Sequence, residues 1–149
     1  MTDQMPPLPP LVPHLVVRGA SEAVEFYKKG LGATEVMRMP AEDGKRLMHA
    51  HLIINGAVVF LMDDFPEYRG TTDHGDGKTI PPDELGGSSF LLHLEVPNCD
   101  EAVKRAVDAG AKVIVQPWDA FWGARYAEVR DPFGHGWSFG HPLATGCTA

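Results

Sequence analysis

His14-Leu15-Val16-Val17, followed by Glu22-Ala23-Val24, returns later as His93-Leu94-Glu95-Val96 followed by Glu101-Ala102-Val103, at a constant offset of 79 residues. Six identities at one offset mark an internal repeat. Farther along, Gly32-Ala33 matches Gly110-Ala111 and Gly56 matches Gly134, both at an offset of 78. The chain reads as one supersecondary unit written twice, over about residues 11–62 and 90–140.

Each copy reads as strand, helix, then three strands. Residues 11–17 form an apolar run, as expected of a strand covered on both faces. Ser21 is placed to cap the helix that follows, with Ala20, Val24, Tyr27 and Leu31 on one face and a Glu25–Lys29 pair on the other. Gly30 and Gly32 are read as its stop. Strands are predicted at 34–39, 47–54 and 57–62, with Asn55-Gly56 as a two-residue hairpin turn. The second copy places a strand at 90–96, a helix at 100–109 with Val103, Ala106, Val107 and Gly110 on one face, and strands at 112–115, 125–129 and 136–140. Residues 63–87, rich in Gly, Pro, Asp and Thr, read as a long loop that connects the copies.

The chain has 149 residues, 44% of them hydrophobic, enough for one domain with a real core. Its net charge of −7, with no basic stripe, argues against nucleic acid and against an anionic bilayer as partners. No apolar run reaches the ~20 residues of a membrane span, and the amino end lacks the order of a signal peptide, so a cytoplasmic protein is expected. Cys99 and Cys147 are read as free thiols, Cys99 with some prospect of acidification near a helix start.

A tandem βαβββ unit, together with Ala23-Val24-Glu25-Phe26-Tyr27, Leu31-Gly32-Ala33, Asp131-Pro132-Phe133-Gly134 and above all Trp118-Asp119-Ala120-Phe121-Trp122-Gly123-Ala124-Arg125, resembles the vicinal-oxygen-chelate (glyoxalase, bleomycin-resistance and dioxygenase) superfamily. The likeness runs from about Leu11 to Pro142 and leans toward the PhnB-like or glyoxalase-like subgroup. It implies an α+β fold: two modules forming a U-shaped mixed sheet around a small-molecule cavity, helices outside, commonly in a homodimer. Metal-using members of the family take ligands from the first and last strand of each module. Ungapped counting puts those positions at Val12, Phe60, Leu91 and Ser138, none a strong ligand for a hard cation, so the expectation is a protein without a metal cofactor.

Two histidines supply the alternative. His14 and His93 lie two positions beyond Val12 and Leu91, on the same strand face. With Glu95 they would make a 2-His-1-carboxylate set for a divalent metal ion, in a glyoxalase-like lyase or isomerase or a dioxygenase. The favoured reading makes them cavity histidines that hydrogen-bond or move protons. His49 and His51 share a strand face; His74 falls in the loop; His135 and His141 lie at the ends of the last strand. The aromatic segment adds Trp122, Arg125 and Tyr126 as candidate ligand contacts, with an internal carboxylate as the other possible partner for Arg125; Trp118 and Phe121 are read as core or interface. The expected binding set is thus His14, Phe60, His93, Glu95, Trp122, Arg125 and Tyr126. No Gly-x-Ser-x-Gly elbow occurs, no Ser or Cys is visibly coupled to a base, and Gly75-Asp76-Gly77-Lys78 lacks the setting of a phosphate loop.

Overall fold

The computed structural model describes residues 7–71 and 79–144. His74, Cys147 and the Gly75-Asp76-Gly77-Lys78 stretch lie outside the described residues. The first half runs β1 (His14–Val17), α1 (Ala20–Leu31), β2 (Thr34–Pro40), β3 (Leu47–Ile54) and β4 (Ala57–Asp63). After a short helix, α2 (Pro82–Leu85), the second half repeats the order as β5 (Leu91–Glu95), α3 (Cys99–Ala109), β6 (Lys112–Asp119), β7 (Ala124–Arg130) and β8 (Gly136–Pro142). Two four-stranded mixed sheets result, β1-β4-β3-β2 and β5-β8-β7-β6, each with its first strand parallel to its last and the remaining pairs antiparallel.

Alternation sets what each sheet buries. Leu15, Val17, Leu61, Leu52 and Ile54 of the first sheet, and Ala127, Val129, Trp137 and Phe139 of the second, pack beneath the helices. The opposite faces carry His14, His49, His51 and His93. The first strand is shorter than its apolar run suggests: Leu11 is 85% exposed and pairing begins only at His14, but Leu15, Val16 and Val17 are all buried, so β1 beyond His14 is covered on both faces. In β3 a register shift leaves both Leu47 and Ala50 buried, with Met48 and His49 between them. Such a bulge turns two consecutive side chains toward the open face. Asn55 (φ 53°) and Gly56 (φ 81°) are both left-handed, as the predicted hairpin turn requires.

The helix ends differ from the expectations. Ser21 does not cap α1; the cap position is Gly19, and Asp63 Oδ1 accepts the Gly19 and Ala20 N–H groups at 2.8 and 3.0 Å. A carboxylate at the end of β4 reaches the helix start more directly than a hydroxyl already inside its first turn, and the helix dipole favours it. The corresponding residue of the second repeat, at an offset of 78, is His141, whose Nδ1 accepts the Cys99 N–H at 2.8 Å. Glu25 pairs with Lys28 and Arg38 rather than with Lys29. Gly30 lies within α1; a Cβ there would stand 3.2 Å from that of Ala109, so this glycine lets α1 and α3 approach. Val107 is 39% exposed instead of buried with Val103 and Ala106.

Cross-ties join the halves. Asp131, 3% exposed in the β7–β8 turn, accepts from Tyr27 Oη of α1 (2.5 Å), Trp137 Nε1 (2.9 Å) and the N–H groups of Phe133 and His135 (2.9 and 3.0 Å). Each hairpin turn also reaches the first strand of the other half. Asn55 Nδ2 donates to Glu95 O at 2.8 Å, and His135 Nε2 donates to Val16 O at 2.9 Å.

Candidate functional site

Strand register brings each repeat's histidine beside its last strand: His14 lies opposite Phe60 and His93 opposite Ser138. This corrects the ungapped count, because Val12 precedes β1 and Leu91 faces Gly136. The equivalent positions thus offer two imidazoles, a phenyl ring and a hydroxyl. No group of three or more His, Cys, Asp or Glu side chains suited to a metal ion occurs among the described residues. The 2-His-1-carboxylate set is not assembled: contacts place His14 and His93 in separate clusters on separate sheets.

The first cluster is aromatic. Phe60 sits among three imidazoles, 5.8 Å from His14, 4.6 Å from His49 and 5.2 Å from His51, all edge-on. Sequence alternation allowed His49 and His51 either face of their strand, and register selects the open one by pairing His51 with Phe60. Partial burial, and secondarily the neighbouring imidazoles His49 and His51, push the pKa values of His14 and His49 below the usual histidine value. These rings are neutral at pH 7, apolar in body and able to donate or accept one hydrogen bond each.

Beside this cluster, and missed by sequence reasoning, is a cavity of about 810 Å³ lined by Val16, Met48, Met62, Phe65 and Tyr68. Part of its wall comes from the stretch between the repeats, so that connection is not a plain linker. Two arginines frame it, both already engaged. Arg46 binds Asp43 and Glu67 and lies over the Phe65 ring at 4.3 Å, while Arg69 pairs with Asp64 and Glu84. Gly, Pro and acidic residues gave the sequence no periodic signal here, and only the paired Phe65 and Tyr68 hinted at a wall.

The second cluster is polar. His93 Nδ1 lies 2.8 Å from Ser138 Oγ and Nε2 lies 2.7 Å from Glu95 Oε1. A carboxylate only accepts, so Nε2 carries a proton, and in the tautomer with that single proton Nδ1 accepts from the Ser138 hydroxyl. Tyr126 stacks on His93 (6.2 Å, 13°) and donates to Glu128 Oε1 at 2.8 Å; burial and that carboxylate raise its phenol pKa. Gly140 is what makes room: a Cβ there would meet His93 Cε1 at 3.1 Å and Glu95 Oε1 at 3.3 Å. Trp122 abuts Tyr126 edge-on at 5.3 Å, with Trp118 and Phe121 around it, half to fully exposed rather than in the core.

Arg125 departs from the expected set. Being adjacent to Tyr126 in a strand, it takes the opposite face, where it grips Asp100 through two nitrogens (3.0 and 2.9 Å) and Asp119 at 3.1 Å. The internal carboxylates answer its charge. Cys99 is buried, its thiol raised in pKa chiefly by that burial, which excludes the acidified state.

The glyoxalase/bleomycin resistance protein/dioxygenase superfamily pattern matches residues 10–139. The chain belongs to that superfamily. An uncharacterised protein of Mycobacterium bovis is 47% identical over 135 residues, covering 91% of this chain and 84% of that one. The crystal structure of TioX from Micromonospora superposes with a TM-score of 0.67 at 26% identity, over 89% of this chain and 98% of TioX. A 4-hydroxyphenylpyruvate dioxygenase of Danio rerio is 27% identical over 117 residues, which is 76% of this chain but 28% of that enzyme. None of the described helices is long and apolar enough to cross a membrane.

Proposed function

We propose that this superfamily member is a cytoplasmic small-molecule-binding protein, free of a metal cofactor, that holds an aromatic or amphipathic ligand on the open faces of its sheets. The observation that carries the reading is the cavity of about 810 Å³ with Val16, Met48, Met62, Phe65 and Tyr68 in its walls. That volume suits a drug-sized molecule, and thioether and aromatic walls adapt to flat apolar shapes. The neutral His14 and His49 rings next to it add hydrogen-bonding capacity without charge, and Trp122, Tyr126 and His93 supply a second stacking surface. A second copy of the chain is the proposed cover for the exposed Met48, Leu91, Trp118 and Trp122 side chains, since apolar area of this kind is commonly closed by a symmetric partner.

Calorimetric titration with a panel of aromatic and amphipathic compounds tests the reading, and a panel with no saturable binder would overturn it. Elemental analysis of protein purified without chelators separates it from the metal-dependent lyase, isomerase or dioxygenase. One divalent ion per chain, lost on replacing His14 and His93 by Ala, would favour the enzyme. Sedimentation showing only a 16 kDa species at micromolar concentration would rule out the dimer.

A further inference from the structure

The second repeat couples a serine hydroxyl to an imidazole and the imidazole to a carboxylate, which is the arrangement that activates a nucleophile. The first repeat has nothing comparable, because Phe60 stands where Ser138 does. Three further observations bear on the serine. On the open face of β8 its neighbours two positions away are Gly136 and Gly140, so no side chain on its own strand screens the hydroxyl. A cavity of about 390 Å³, lined in part by Phe90, Leu91, Ile114, Glu128 and Gly136, opens beside it on the same sheet. Tyr126, whose hydroxyl donates to Glu128 Oε1 at 2.8 Å and keeps its proton, is a further polar neighbour of the serine.

We infer that Ser138 is a nucleophilic serine, activated by His93 and Glu95, that accepts the acyl group of a small ester whose apolar acyl chain enters the Phe90–Leu91–Ile114 cavity. The geometry assigns each part. His93 Nδ1 takes the Oγ proton as Oγ bonds to the ester carbonyl carbon, and the carbonyl π pair moves onto oxygen. Glu95 Oε1 holds Nε2–H and steadies the imidazolium that forms, with the usual roles of the two ring nitrogens exchanged. Backbone N–H groups of β8 are committed to β5 and β7, so the oxyanion gains its donor when the Tyr126 hydroxyl swings from Glu128 Oε1 to the new oxygen. Collapse breaks the bond to the leaving alkoxide, which takes the proton from Nδ1. Water then repeats the sequence and releases the acid; nothing is oxidised or reduced. Ser138 is 2% exposed, and Leu91 fills the space over Gly136 as His93 and Glu95 fill that over Gly140, so the resting hydroxyl is kept dry and the acyl donor enters from the Phe90–Leu91–Ile114 cavity as the Leu91 side chain turns aside.

Phenylmethylsulfonyl fluoride and p-nitrophenyl butyrate, used on the full chain, test this directly. The expected result is an intact mass increased by one phenylmethylsulfonyl group, mapped to Ser138 by peptide analysis and absent from Ser138→Ala. Ester turnover should fall about a hundredfold in His93→Gln with the circular dichroism spectrum unchanged. Gly140→Ala, which crowds His93 and Glu95 while leaving the hydroxyl in place, should slow both reactions. No label at Ser138, or equal labelling rates in the parent and His93→Gln, would overturn the inference and leave a merely structural hydrogen-bond chain. Calorimetric binding retained in that case would leave the ligand-binding reading standing.

Discussion

Replacing Asp131 by Asn puts the cross-tie between the halves to a quantitative test. Asp131 is buried and accepts four hydrogen bonds, two of them from the side chains of Tyr27 and Trp137. In the variant Oδ1 can still serve the Phe133 and His135 N–H groups, but the amide NH2 then faces Trp137 Nε1, which can only donate. The charge-assisted Trp137 bond is lost at roughly 1.5–3 kcal/mol, its donor is left buried and unpaired at about 1–3 kcal/mol, and Tyr27 Oη keeps only a neutral bond by accepting from the amide. A destabilisation of about 3–5 kcal/mol follows, roughly 10 °C in Tm for a chain of this size. Urea unfolding followed by tryptophan fluorescence and far-ultraviolet circular dichroism would measure it, with the slope unchanged. Tyr27→Phe alone should cost about 1.5–3 kcal/mol and should be less costly in the Asp131→Asn background, since only a neutral amide-to-hydroxyl bond is left there to lose. A loss below about 1 kcal/mol for Asp131→Asn, or strict additivity of the two changes, would refute the argument.

Other expectations follow from the same chemistry. His14 and His49 have lowered folded pKa values, so their contribution to stability is complete above the free value of 6.5 and is lost as pH falls from there through the lower folded values; proton NMR midpoints at or above 6.5 would contradict this. Cys99 should resist alkylation at about pH 8 until the chain is unfolded, as peptide mass mapping would show. Trp122→Ala should weaken an aromatic ligand by about tenfold in calorimetry, whereas Arg125→Lys, on the other face, should leave affinity unchanged.

Much of the architecture was legible because local periodicity carries it. The offset of 79 located both repeats, and the Asn55-Gly56 turn and the burial of Leu15 and Val17 follow from rules that act within a few residues. Sites depend on register, which the sequence states only indirectly. Counting without gaps set Val12 beside Phe60, whereas the parallel pairing of β1 and β4 sets His14 there. The bulge at Met48 and His49 shifts faces with no glycine to announce it. The coupling of Ser138 to His93 went unnoticed because the two are 45 residues apart and are brought close only by strand pairing. Alternation did contain one unused signal: Arg125 and Tyr126, being adjacent in a strand, could not share a face. A second lay in the offset of 78, which equates Asp63 with His141 and so pairs the two helix acceptors.

The reciprocal grip of each hairpin turn on the opposite first strand, Asn55 on Glu95 and His135 on Val16, has a consequence for the chain as a polymer. Neither half closes its own edge; each is finished by the other. Part of the recognition between the halves is therefore written in the halves themselves, in addition to the covalent connection between β4 and β5. Severed in that stretch, the two pieces would still carry complementary ends.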